Sequence, residues 1–216
     1  MRFVDLSHVI RDGMVTYPGL PGPEIGEHLG WEDSHTRYAP GTEFRIARIA
    51  MVANTGTYLD TPAHRYRDGV GLAELPLERS AAVPGLVVDA AGPAIGPEAF
   101  AGLEVSDRAV LVRTGWSRHW GTDAYGGAEH PYLTAQGAEV VVAGRPALVG
   151  IDSVNIDGTH TGERPAHSAL LAAGIPIVEH LTGLDELPAD GFDFFAVPSR
   201  IEGMGTFPVR AFAIVR

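Results

Sequence analysis

Four short apolar runs set what this chain can become. Leu86-Val87-Val88 lies within Gly85–Asp89, and Ala109–Val112, Ala147–Ile151 and Ile175–Val178 repeat the theme without polar alternation. Runs of this length, rich in Val, Ile and Leu, read as short strands of a buried type. Helical signals fall between them. Thr134 caps a predicted helix ending at Ala143, and Pro165 opens another, over 165–173, that Gly174 stops. A further helix is expected at 96–100, with Pro97 in its favoured first turn. Looser patterns place strands at 2–10, 43–53, 192–197 and 207–215, and short helical turns at 72–75 and 77–79. Residues 14–23, 115–132 and 155–164 read as loops, with 115–132 on the surface. Strands outnumber helices. The expected class is α/β, with a mixed β-sheet forming a barrel-like core and peripheral helices. No repeat or linker interrupts residues 1–216, so one domain is expected.

Composition removes several classes of function. The 216 residues carry 16 basic and 27 acidic side chains, a net charge of −11. That balance argues against nucleic acid or anionic membrane as a partner, and leaves a small molecule. The chain has no cysteine, which excludes disulfides and thiolate metal sites. No apolar segment reaches about 18 residues and the amino terminus lacks a signal-peptide pattern, so a cytoplasmic location is expected.

Chemistry-bearing residues collect in two places. The first is Asn54-Thr55-Gly56-Thr57-Tyr58-Leu59-Asp60-Thr61-Pro62-Ala63-His64. Pro62 disfavours helix at the residue before it, so Asp60 and His64 are placed on extended or turning backbone. The second runs from Asp152 through Asn155, Asp157 and His160 to His167 and Glu179. From His167 to Gly174 a helix rises about 10 Å, and the strand from Ile175 to Glu179 runs back about 16 Å. A reversal at Gly174 therefore brings Glu179 beside His167. An Asp, two His and a Glu converging would suit zinc or manganese. Such an ion acidifies a bound water and polarises a carbonyl, and a His outside its ligand set can serve as general base and then acid.

At these residues the sequence resembles the cyclase family that includes bacterial kynurenine formamidase and isatin hydrolase. The family pattern, His-x-Gly-Thr-His-x-Asp-x-Pro-x-His, stands here as Asn54-x-Gly56-Thr57-Tyr58-x-Asp60-x-Pro62-x-His64. His167 and Glu179 follow at the family's spacing of twelve. Tyr17-Pro18-Gly19, Arg113-Thr114-Gly115-Trp116 and Pro208-Val209-Arg210-Ala211 extend the likeness over nearly the whole chain. The resemblance implies a swivelling β/β/α fold and a homodimer or homotetramer. It also implies a metal-dependent hydrolase of a small-molecule amide, in the manner of an arylformamidase, or of a lactone, with metal-bound water as nucleophile. By the same likeness Asp60, His167 and Glu179 hold metal, and His64 is the catalytic proton donor and acceptor. Two ligand histidines of the pattern are Asn54 and Tyr58, so one divalent ion, zinc or manganese, or none is expected in place of two. Tyr17, Asn54 and Tyr58 are expected to contact substrate.

Plainer structural roles exist for each residue. Asp60 could cap a turn, His64 could be a hydrogen-bonded loop histidine, His167 could bond a neighbouring loop, and Glu179 could be a solvated strand end. Two other functional readings also remain. One is a metal-free cyclase, dehydratase or isomerase using His64 and Tyr58; the other is a catalytically inactive binding homologue.

Overall fold

A computed structural model describes residues 1–216. Thirteen strands and four α-helical segments, with four short 3₁₀ turns between them, make up the chain: β1 (Arg2–Asp5), β2 (Glu24–Leu29), α1 (Trp31–Ser34), β3 (Ile46–Ala50), β4 (Tyr58–Asp60) and α2 (Pro62–Arg65) come first. Next come β5 (Val83–Asp89), β6 (Ala94–Ile95), β7 (Ala109–Arg113), β8 (Tyr132–Leu133), α3 (Ala135–Gly144), β9 (Leu148–Ile151) and α4 (Pro165–Ala172). The last are β10 (Ile177–Glu179), β11 (Phe192–Phe195), β12 (Thr206–Pro208) and β13 (Phe212–Val215).

Nine strands form one mixed sheet in the order β1-β13-β11-β5-β7-β9-β10-β4-β12, curled into an open half-barrel. The four apolar runs supply its centre: β5, β7, β9 and β10 lie parallel. Both edges are antiparallel, with β11 against β5 on one side and β4 against β10 on the other. Strand β7 shows why its sequence does not alternate. Ala109 and Leu111 face one core with Leu59, Val178 and Phe194, while Val110 and Val112 face the other with Val141, Leu170 and Leu171 of the helices. Successive side chains leave a strand on opposite faces, and here both faces are covered. The class and the barrel-like curl are those expected from sequence.

Helix α3 starts as expected, with Thr134 Oγ1 accepting from the Gly137 N–H. Gly174 adopts a left-handed φ of +72°, which turns the chain from α4 back toward β10. Several expectations need correction. The helix at 96–100 is a single 3₁₀ turn, Pro97–Phe100, too short to add a helical layer. The strand at 2–10 stops at Asp5, and 207–215 breaks into β12 and β13 around Val209-Arg210-Ala211. Residues 115–132 are not simply a surface loop. Tyr125 and His130 are buried, because the loop folds Trp120 and Tyr125 onto His180. Strand β2 carries no apolar pattern because the β2–β3 ribbon is exposed along nearly all its length. No helix is long and apolar enough to cross a membrane.

Candidate active site

Strand register assembles the site. Tyr58 on β4 is the direct cross-strand partner of Glu179 on β10, and Asp60 is the partner of Thr206 on β12. Three residues of β4 thus present Tyr58 and Asp60 on the same face, beside two strands drawn from distant parts of the chain. Thr61 and Pro62 then turn the chain into α2, a single helical turn that carries His64. Gly205 allows this close approach: a Cβ there would lie 2.3 Å from the His64 backbone nitrogen.

His167 comes from the other direction, in the first turn of α4. Asp157 accepts hydrogen bonds from the Ala166 and His167 N–H groups at 2.6 and 2.9 Å, which caps the helix. The same carboxylate lies 2.7 Å from His167 Nδ1. It therefore holds the proton on Nδ1 and leaves Nε2 directed elsewhere. Nε2 lies 3.6 Å from Glu179 Oε1 and 3.7 Å from Asp60 Oδ2. The reversal at Gly174 has brought Glu179 to His167, as the spacing predicted.

Asp60 is fully buried. Its Oδ1 accepts from the Thr206 hydroxyl, while Oδ2 has no hydrogen-bond partner at all. A buried carboxylate oxygen without a partner is costly, and this one faces the free nitrogen of His167. The ligand atoms of Asp60, His64 and His167 all lie within 4.8 Å of one another. Glu179 lies outside that group of three, but its Oε1 is 3.6 Å from His167 Nε2, and an imidazole nitrogen with the two carboxylates is a hard and borderline donor set suited to zinc or manganese. The residues fit a divalent cation.

Electrostatics agree with that fit. Burial alone would depress the His167 imidazole, but the charge of Glu179, with Asp157 and Asp60, overrides it and raises the group to about 10. Burial pushes Glu179 up to about 7, against the lowering influence of His167, with Asp60 adding to the rise. The two shifts compete for one proton. Three carboxyl side chains around a single imidazole favour placing it on His167. A proton sits where the geometry would admit a cation.

The positions where the family pattern has its other histidines look different. Tyr58 is buried and donates its hydroxyl to Glu179 Oε2 at 2.6 Å. Burial, then the charges of Glu179 and Asp60, push this phenol well above its ordinary value, so it stays protonated. His180 follows Glu179 with a left-handed φ of +57°, which lets adjacent residues address the same region. Its Nε2 lies 3.3 Å from the Tyr58 hydroxyl and its Nδ1 lies 2.8 Å from that of Tyr125. Burial drives His180 down to about 3, so it is neutral.

His64 borders the charged group at the surface, a third exposed, with Nδ1 2.7 Å from Thr206 Oγ1 and 3.7 Å from Asp60 Oδ1. The Thr206 hydroxyl has one proton and gives it to Asp60. His64 Nδ1 must therefore carry its own proton and donate it, which leaves the Nε2 lone pair unclaimed by that contact. A cleft of about 270 Å³ opens over these groups. Tyr17, Asn54, Tyr58, His64, His167 and Glu179 all line it, together with Leu20, Asn155, Arg65 and Arg164. His160 lies elsewhere, packed edge-on to Tyr132. Thr206 and the capping role of Asp157 carry no motif signal; cross-strand pairing and helix capping reveal them only in three dimensions.

Comparison with known proteins agrees with this architecture. The family model described as "Putative cyclase" matches residues 4–158. The chain belongs to the cyclase family. It is 29% identical over 214 residues to the kynurenine formamidase of Salinibacter ruber, covering 98% of this chain and 96% of that protein. Isatin hydrolase A from Labrenzia aggregata, bound to benzyl benzoate, superposes with a TM-score of 0.85 at 26% identity, over 99% and 93% of the two chains. A structure described as a potential metal-dependent hydrolase with cyclase activity shares the fold, with a TM-score of 0.81 at 24% identity, over 100% and 98%. The first two relatives are hydrolases of carbon–nitrogen bonds other than peptide bonds, the enzyme class expected from the motif.

Proposed function

We propose that this chain hydrolyses a carbon–nitrogen bond in a small amide, in the manner of an arylformamidase, or a related lactone, with one zinc or manganese ion. The carrying observation is the orphaned Asp60 Oδ2, buried and directed at the free nitrogen of His167. Asp60, His167 and Glu179 would hold the ion. When bound, it would polarise the substrate carbonyl and acidify water enough for attack near neutral pH.

The remaining work falls to side chains. Asp157 fixes the His167 tautomer, so that Nε2 offers its lone pair. Thr206 joins Asp60 to His64 and orients the exposed imidazole. His64 Nε2 takes a proton from the attacking water and returns it to the leaving nitrogen, which departs as an amine while a carboxylic acid forms. Tyr17 and Leu20 give the cleft an apolar wall, and Asn54 and Asn155 offer amides for orientation. The metal-free reading needs Tyr58 as a proton-transfer partner. Its hydroxyl is committed to Glu179, which disfavours that role. On the proposed reading the assembly is a homodimer or homotetramer, for which the exposed Ile25, Phe44, Ile46 and Ile49 on and beside the β2–β3 ribbon offer apolar surface.

Metal analysis of protein purified without chelator, combined with hydrolysis assays on aryl formamides and lactones, tests the proposal. About one ion per chain and chelation-sensitive turnover abolished by His64→Ala are expected. Less than a tenth of an ion per chain, with turnover indifferent to chelation, would overturn the metal mechanism. No turnover of any amide, ester or lactone would favour a binding protein.

A further inference from the structure

Two arginines at the mouth of the cleft have no task in the hydrolytic scheme. Arg65 follows His64 in α2, and Arg164 directly precedes α4, whose third residue is His167. The two side chains therefore come from the same two elements that carry the two histidines, and Arg65 Nε approaches Ser168 Oγ on α4 at 3.4 Å. Both arginines line the cleft, and both also line an adjoining hollow of about 420 Å³. The rest of that hollow is Gly162, Glu163, Pro165 and Ser168, with no large apolar side chain.

Neither guanidinium has an acidic partner; other arginines also lack one, but these two line the cleft that holds the histidines. Arg164 is nonetheless held in place. Its Nη1 donates to the backbone carbonyls of Thr161 and Glu163 at 2.9 and 2.6 Å, with Gly158 at 3.4 Å. That leaves its Nε and Nη2 edge for another acceptor. All sixteen basic residues of this chain are arginines, and an arginine fork matches the two oxygens of a carboxylate where an ammonium does not. A net charge of −11 repels anions in general, and two cations without a carboxylate partner beside the chemistry locally oppose that field.

We propose that Arg65 and Arg164 bind a carboxylate carried by the substrate, so that the preferred substrate is an anionic amide whose acid group lies in the polar hollow while its apolar body rests on Tyr17 and Leu20. This rests on the hydrolase reading above and specifies its substrate class. Both arginines contact solvent, so a neutral substrate strands no buried charge. The discrimination is a gain for the anion, of about tenfold or somewhat more, and not the far larger factor of a sealed polar pocket.

The test compares kcat/KM of the metal-loaded enzyme for formanilide with that for its 2-, 3- and 4-carboxylates. The best carboxylate is expected to exceed formanilide by about tenfold or more, chiefly through KM, and R65Q/R164Q is expected to bring that ratio below about two. The single variant R65Q, which removes from the fold the Ser168 contact and the guanidinium's position over the Tyr66 ring, should give an intermediate ratio. A wild-type ratio near one, or a ratio that survives R65Q/R164Q, would overturn the proposal. Should none of the four compounds turn over, arylformamidase activity is excluded on its own account. The arginines are then judged by binding: the fluorescent 2-aminobenzoate and its isomers against aniline. Tighter aminobenzoate binding, lost in R65Q/R164Q, supports an anion site; equal binding in both proteins refutes it.

Discussion

The two sides of Glu179 answer one problem differently. Both oxygens of this buried carboxylate need a positive partner. Oε1 accepts the Ile156 N–H at 2.6 Å and lies 3.6 Å from His167 Nε2, which also approaches the orphaned oxygen of Asp60, a cluster of negative charge suited to a cation. Oε2 takes a neutral phenol hydroxyl from Tyr58, which His180 and Tyr125 back with further hydrogen bonds. One side is charged and leaves a lone pair free, and the other is neutral and closed. Replacing two histidines by Asn54 and Tyr58 has not left a hole. A hydrogen-bonded network of Tyr58, His180 and Tyr125 fills the volume, and on the proposed reading Glu179 serves one ion.

The largest effect should come from breaking the charged side. Asp60→Ala is expected to abolish metal retention and lower turnover by about 10³-fold, the scale of losing a main electrostatic stabiliser; elemental analysis and steady-state kinetics read both. Rebuilding the neutral side is the reciprocal experiment. Asn54→His with Tyr58→His should raise binding from about one zinc per chain to about two, measured by the same analysis. An unchanged stoichiometry would mean that the difference between the two sides lies deeper than two residues.

The shared proton gives the next effect. With His167 raised to about 10, an incoming ion must displace a proton, so zinc affinity should climb about tenfold per pH unit between about 7 and 9. Competition titrations at three pH values would show it, and a flat affinity would place the ion elsewhere. In ion-free protein the sign runs the other way. The raised His167 stabilises the fold fully below about 6.5, its unfolded value, and that contribution is lost as pH rises toward about 10. Asp157→Asn should weaken zinc affinity by about 10–100-fold through the lost orientation of His167. The smallest catalytic effect belongs to Tyr58→Phe. It should cost stability, about 1–3 kcal/mol for the unpaired Glu179 oxygen, with turnover changed less than about tenfold. A collapse of turnover in a well-folded Tyr58→Phe protein would revive the metal-free reading.

Different parts of the molecule were legible in the sequence to different degrees. The central strands were plain, though not their parallel order, because strands buried on both faces must be apolar at every position, as Val110-Leu111-Val112 is. The approach of Glu179 to His167 followed from helix rise, strand rise and one glycine. Strand β2 was hidden because Glu24-Ile25-Gly26-Glu27-His28-Leu29 covers no core on most of its length. The 3₁₀ turn at Pro97–Phe100 looked helical because proline marks a first turn without saying whether a second follows. Thr206 was invisible, since its partner Asp60 lies 146 positions away and a lone threonine before an aromatic residue signals nothing. The likeness of the motif supplied roles for Asp60, His64, His167 and Glu179 that residue types alone left open.

The register of β4 has a consequence for how the protein is made. Its three residues pair on one side with Ile177–Glu179 and on the other with Thr206–Pro208. During synthesis Asp60 and Tyr58 emerge long before either neighbour, and closing such distant pairings is slow. A nascent chain holding only the motif would lack His167, Glu179 and Thr206, so it has no place to keep an ion. On the proposed reading, metal uptake should thus report completion of the sheet: an early, half-built chain would stay inert, and the ion would enter a protein already folded around its C-terminal strands.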